Sequence, residues 1–191
     1  MGATQYYFAQ TLDGYIAEVD GGLEWLMGYE GDAAPDAGGE GEGPMAAGGA
    51  YERFFADVGA LAMGSATYEF VLAHSSGGWP YEGTPTWVFT SRSLPVPDGA
   101  DVRFASGPVG PTHEQMAMAA RGANVWLVGG GDLAMQFIDA DLLDEVHATI
   151  VPVVLGAGIP TFSQQVPRQL RLAGARAFEN GMVELRYEVA R

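Results

Sequence analysis

Residues 125–137 read "VWLVGGGDLAMQF": a short apolar run, three consecutive glycines and the opening of an amphipathic helix. The apolar run predicts a buried strand, and the glycines put its carboxyl end directly against a helix N-terminus. Such a junction presents unpaired backbone N–H groups and the positive end of the helix dipole, which suits a phosphate. Glycine lets a ligand approach without meeting a Cβ and adopts backbone angles that other residues resist. A plainer reading stands beside this one, in which Gly129, Gly130 and Gly131 only make a tight turn between packed elements. Asp132, as a helix cap, would take the same N–H groups and repel an anion. The G-x-G-x-x-G spacing of a Rossmann site is missing.

Two other segments repeat the arrangement. "MGSATY" sets Gly64 before a helix with hydroxyls at Ser65 and Thr67, and Ser65 is the expected cap. "FTSRS" places Thr90, Ser91 and Arg92 at the end of another strand, where hydroxyls and one guanidinium could hold a phosphate monoester. Ligands of open α/β sheets collect at the carboxyl ends of strands, so three such ends favour a nucleotide site.

Composition narrows the chemistry. The 191 residues carry a formal net charge of −15, against nucleic acid or an anionic membrane as a partner. All nine basic residues are arginine, which excludes a P-loop lysine, a Schiff-base lysine and a lysine base. With no cysteine there are no disulfides or thiolate sites. No His and carboxylate spacing suits a metal, so none is expected. The start, "ATQYYFAQ", has neither the basic stretch nor the apolar core of a leader, and no run is long enough to span a bilayer. The expectation is a cytoplasmic protein of one domain, residues 1–191.

Along the chain, "TQYYFA" predicts a strand followed by D-G turns. Residues 28–50, rich in glycine and acid, predict a flexible surface loop and a candidate lid. "YERFFADV" predicts a short helix, "GALAM" and "TWVFTS" strands, and "HEQMAMAARG" a helix that Thr112 precedes and Gly122 closes. His113 would start that helix at the surface. His74 reads as a C-terminal cap and His147 as a structural residue inside the strand "EVHATIV", which Pro152 must end or bend. Trp25, beside the loop, could cover a substrate. In "MVELRYEVA" apolar and charged residues alternate, and Asn180-Gly181 predicts a two-residue hairpin to "LRLAGARAF". Alternating strands and helices with this hairpin predict an α/β fold: a mixed, mostly parallel sheet, antiparallel at its C-terminal edge, with helices on both faces.

Taken in order, "QTLDGYIA", "LAMGSATYE", "WPY", "VFTSR", "VWLVGGGDLAMQFI" and "LLDEVHATIVPVVLGAGIPTF" resemble the dihydrofolate reductase-like superfamily along nearly the whole chain. The branch is that of the reductase domain of the bifunctional riboflavin-biosynthesis deaminase-reductase. The resemblance implies a three-layer fold, NADPH (with NADH open) as cofactor, a small-molecule substrate and a homodimer. It implies that Gly64, Ser65 and Thr67 meet cofactor phosphates, that Ser91 and Arg92 lie near the adenosine and its 2′-phosphate, and that Gly129 to Leu133 cradle the pyrophosphate and nicotinamide side. Ala9, Asp13, Gly14 and Ile16 would border the nicotinamide and substrate. Relatives usually carry Arg where this chain has Ser65, and the deaminase zinc motif is absent.

The function expected is NADPH-dependent hydride transfer to a small heterocyclic, imine or carbonyl compound. The alternative is a dimeric nucleotide-binding module without turnover. Asp13 and Glu52 are the candidate proton donors, Asp13 having the second reading of an Asx-turn. Tyr51, Phe54 and Asp13 are the candidate substrate contacts.

Overall fold

The structure, a computed structural model, describes residues 2–27, 29, 50–75, 77–163 and 167–190. In chain order the strands are β1 (Thr4–Thr11), β2 (Tyr15–Ala17), β3 (Val58–Gly64), β4 (Thr86–Phe89), β5 (Val102–Ala105), β6 (Asn124–Gly129), β7 (Glu145–Val151), β8 (Ile159–Pro160), β9 (Leu170–Ala177) and β10 (Val183–Val189). The helices are α1 (Glu24–Met27), α2 (Ala50–Ala56), α3 (Ser65–His74), α4 (Val109–Ala119) and α5 (Gly131–Asp139). The chain divides into two compact units, residues 1–6 with 58–144, and residues 7–57 with 145–190. Of the expected loop 28–50, Tyr29 and Ala50 are described; the loop and lid readings otherwise lie outside the described residues.

In the first unit the strand order is β5-β4-β3-β6-β1, and each pair is parallel. Parallel strands covered on both faces need continuous apolar runs, and "GALAM" and "VWLV" are such runs. Side chains in register share a face, which locates the helices. Phe104, opposite Val88 on β4, meets Tyr68 of α3 with ring centroids 6.1 Å apart. Phe89, the next residue of β4, points the other way and meets Phe137 of α5 at 6.0 Å. Thus α3 covers one face and α5 the other, with α4 beside α5 through His113 and Phe137. Trp87, Tyr68, Leu61, Met63, Met116 and Phe137 are fully buried between these layers.

In the second unit the order is β1-β7-β10-β9, and β10 runs antiparallel to both β7 and β9. β7 stops at Val151, immediately before Pro152, which has no N–H for a further ladder bond. Ala9, Trp25, Leu26, Val151, Phe178 and Met182 form this unit's core. Trp25 is therefore a packing residue, in place of the expected substrate cover. β2 and β8 form a small antiparallel ribbon that the sequence pattern does not reveal.

Four local expectations are corrected. The cap of α3 is Gly64, and Ser65 is the first helical residue, because the helix begins directly where β3 ends. α4 begins at Val109, before Thr112, since Pro111 falls in the first turn, where its missing N–H costs nothing. His113 is consequently buried inside the helix, away from the surface. The β9–β10 turn is wider than two residues: Phe178 N–H bonds to Met182 O at 2.9 Å, with Gly181 at φ +85° between them.

Candidate functional site

Three adjacent parallel strands of the first unit, β4, β3 and β6, release the chain at the same edge. β3 ends in Gly64 and passes into α3; β6 ends in Gly129 and passes through Gly130 into α5. Because α3 and α5 cover opposite faces, the chain departs in opposite senses from neighbouring strands. That is the switch point at which open α/β sheets hold ligands.

Neither helix is capped by a side chain at Gly64 or Gly130. The first i to i−4 bond of α5 runs from Ala134 N–H to Gly130 O, so the amides of Gly131 and Leu133 have no partner inside the helix. Gly130 sits at φ +104°, a conformation that favours glycine. A Cβ built on it would lie 3.9 Å from Gly64 N, which sets the two junctions side by side. A Cβ on Gly64 would meet nothing within 4 Å: the space over this junction is open.

Gly129 has a different reason. A Cβ there would lie 2.7 Å from Oγ1 and 3.0 Å from Cγ2 of Thr67, so Thr67 of α3 fills the space a side chain would need. At this position the plainer reading of close packing holds. Leu133 is buried and Asp132 is exposed.

Beyond β4, the Arg92 N–H donates to Thr90 Oγ1 at 3.0 Å, a local turn that fixes the start of the exposed Ser91-Arg92 segment. The Arg92 guanidinium is already engaged: Nη1 and Nη2 donate to Oε1 and Oε2 of Glu69 at 3.0 and 2.6 Å. The pairing raises the guanidinium's pKa further. Glu69 was not among the expected site residues, since nothing in the spacing of α3 links it to a residue 23 positions on.

The second unit holds the other candidates. Asp13 is exposed and its carboxylate accepts three hydrogen bonds, from Thr11 Oγ1 at 2.7 Å, Gly156 N–H at 2.7 Å and Leu155 N–H at 3.2 Å. These donors, Thr11 foremost, hold its pKa below the ordinary carboxylate range. The bonds stabilise the anion, and two of them come from the distant Leu155 and Gly156, beyond the reach of an Asx-turn that bonds only its own backbone. Ile16 is half-buried in β2, and the Ala9 side chain is in the core, which leaves only its backbone for a ligand.

On α2, Glu52 is exposed and Tyr51 stacks on Phe55 at 5.8 Å, its hydroxyl pushed up to about 12 chiefly by burial. Phe54 packs on Tyr7 at 4.4 Å and on His147 at 5.7 Å. His147 is buried, with Nε2 2.7 Å from Glu145 Oε2, and burial lowers its pKa. His74 Nδ1 lies 2.9 Å from the Phe70 carbonyl, as a C-terminal cap would.

Residues 4–184 match the family described as the RibD C-terminal domain. The chain is 32% identical over 185 residues to YwjB of Bacillus subtilis strain 168, an uncharacterized protein, covering 96% of each. It superposes on a protein of Shewanella sp. PV-4 assigned to riboflavin biosynthesis with a TM-score of 0.79, at 25% identity and 99% coverage of each chain. It shares its fold with Enterococcus faecalis dihydrofolate reductase complexed with NADP(H), at a TM-score of 0.56 and 17% identity over 99% and 97% of the two chains. Among the described residues no helix is long and apolar enough to cross a membrane.

Proposed function

The chain belongs to the RibD C-terminal domain family and has the dihydrofolate reductase-like fold, and from that premise we propose that it is a nicotinamide-dinucleotide-dependent reductase of a small heterocyclic, imine or carbonyl compound. The observation that carries this reading is the pair of side-by-side, side-chain-uncapped helix starts at Gly64 and Gly130, with open space where Gly64 lacks a Cβ. Their donors fit a pyrophosphate: backbone amides and hydroxyls, with no lysine required.

In this reading the amides of Ser65, Gly131 and Leu133 and the hydroxyl of Ser65 receive phosphate oxygens. Gly129 and Thr67 lock the two junctions together so that these amides converge. Thr90 and Ser91 face the adenosine end, and Arg92, paired with Glu69, is the guanidinium assigned to a 2′-phosphate. A bound reduced nicotinamide supplies the hydride, and the protein contributes position and a proton source. Tyr51, Phe54 and Glu52 remain the assignments for substrate contact and proton donation. Asp13 orders the turn that carries Gly14 and Ile16.

Titration of NADPH and NADH while following tryptophan fluorescence tests the cofactor assignment, and oxidation of NADPH with a ribosylaminopyrimidine or a reducible pteridine tests turnover. Saturable binding of at least one cofactor is expected. Failure of both to bind removes the reductase reading; binding without turnover over a broad substrate panel leaves a nucleotide-binding module.

A further inference from the structure

Arg92 is the guanidinium at the shared exit of β3, β4 and β6. The other described arginines of its unit lie elsewhere: Arg103 on β5 is paired with Asp101 and stacked on Trp87, and Arg121 follows α4. Both Nη groups of Arg92 are taken by the two oxygens of Glu69, one turn along α3 from Ser65. A phosphate monoester grips arginine through the same two-pronged edge, and a hydroxyl has no such need. A dinucleotide carrying a 2′-phosphate must therefore either displace the Glu69 carboxylate or take the remaining Nε–H side of the guanidinium, and in both cases it lies beside that carboxylate's negative charge. One carrying a 2′-hydroxyl leaves the pair intact and can donate to that carboxylate.

We propose that Glu69 is a specificity-determining residue: it occupies Arg92 as an internal stand-in for phosphate and brings the affinities for NADPH and NADH close together. The inference rests on the dinucleotide site proposed above and deepens it. The pair is about half exposed on each side, so its displacement costs little, and the effect on the ratio is moderate.

The test is calorimetric titration of NADPH, NADH, 2′,5′-ADP and 5′-AMP into the wild type, Glu69→Gln and Glu69→Gln/Arg92→Gln. The wild type should bind NADPH and NADH within about tenfold of one another. Glu69→Gln should tighten NADPH and 2′,5′-ADP by about three- to tenfold, leaving NADH and 5′-AMP unchanged or slightly weaker. The double variant should lose that gain, which assigns it to the released guanidinium. A wild-type preference for NADPH beyond about a hundredfold, or an NADPH to NADH ratio unmoved by Glu69→Gln, overturns the inference while the dinucleotide site stands. If no variant binds any of the four, the site itself is wrong and the inference falls with it.

Discussion

The side chain of Thr67 occupies the volume that a side chain on Gly129 would fill, with its Oγ1 2.7 Å from the missing Cβ. One strand exit is thereby keyed into the first turn of the helix that leaves its neighbour. Gly129→Ala should destabilise the fold by about 1–3 kcal/mol through overpacking. Thr67→Ala in the same background removes the two closest atoms and should recover most of the loss. Thermal denaturation of the single and double variants measures the coupling, and a Gly129→Ala melting temperature equal to wild type would refute the packing role.

Gly64 is the complementary case. It has an extended backbone, φ −78° and ψ 166°, and open space beyond it. Gly64→Ala should change stability by no more than about 0.5 kcal/mol. Because the new methyl enters the space proposed for phosphate, dinucleotide affinity should fall about tenfold or more. An unaltered dissociation constant would move the phosphates away from this junction.

Asp13 ties the turn after β1 to Leu155 and Gly156. Asp13→Asn should speed hydrogen exchange at those two amides, while the pH profile of turnover keeps its shape. Loss of an ionisation from that profile would return Asp13 to proton donation. The sign for stability follows from its lowered pKa: the turn's stabilisation is present above the unfolded carboxylate range and fades as pH falls through the folded value.

His113 is buried, with Nε2 2.8 Å from Thr4 Oγ1, and desolvation lowers its pKa below 6.5. The unfolded chain binds this proton more readily than the folded one, so stability rises with pH. It is complete above about pH 6.5 and declines as pH falls toward the lowered folded value. Melting temperatures at pH 7.5 and 5.5 should differ less for His113→Gln than for wild type. His147, lowered by the same cause, accounts for a remaining slope. Equal slopes in both proteins would show that His113 does not titrate on unfolding.

Much of this protein is written in its local pattern. Apolar runs passing through glycine into helices specify parallel strands and their connections, and Pro152 ends β7 where its missing N–H requires. Asn180-Gly181 marks the antiparallel edge because only a turn accommodates that pair between two strands. These are properties of a few neighbouring residues, fixed by sterics and hydrogen-bonding capacity wherever they occur. What the tertiary structure decided lies between distant segments. Gly129 is small for the sake of Thr67, Arg92 is held by Glu69, and Asp13 is bound by Leu155 and Gly156. His113, expected at a surface, is buried because its helix begins four residues earlier and turns that face inward. Each of these depends on which strands become neighbours, and packing and charge pairing act through space without regard to separation along the chain.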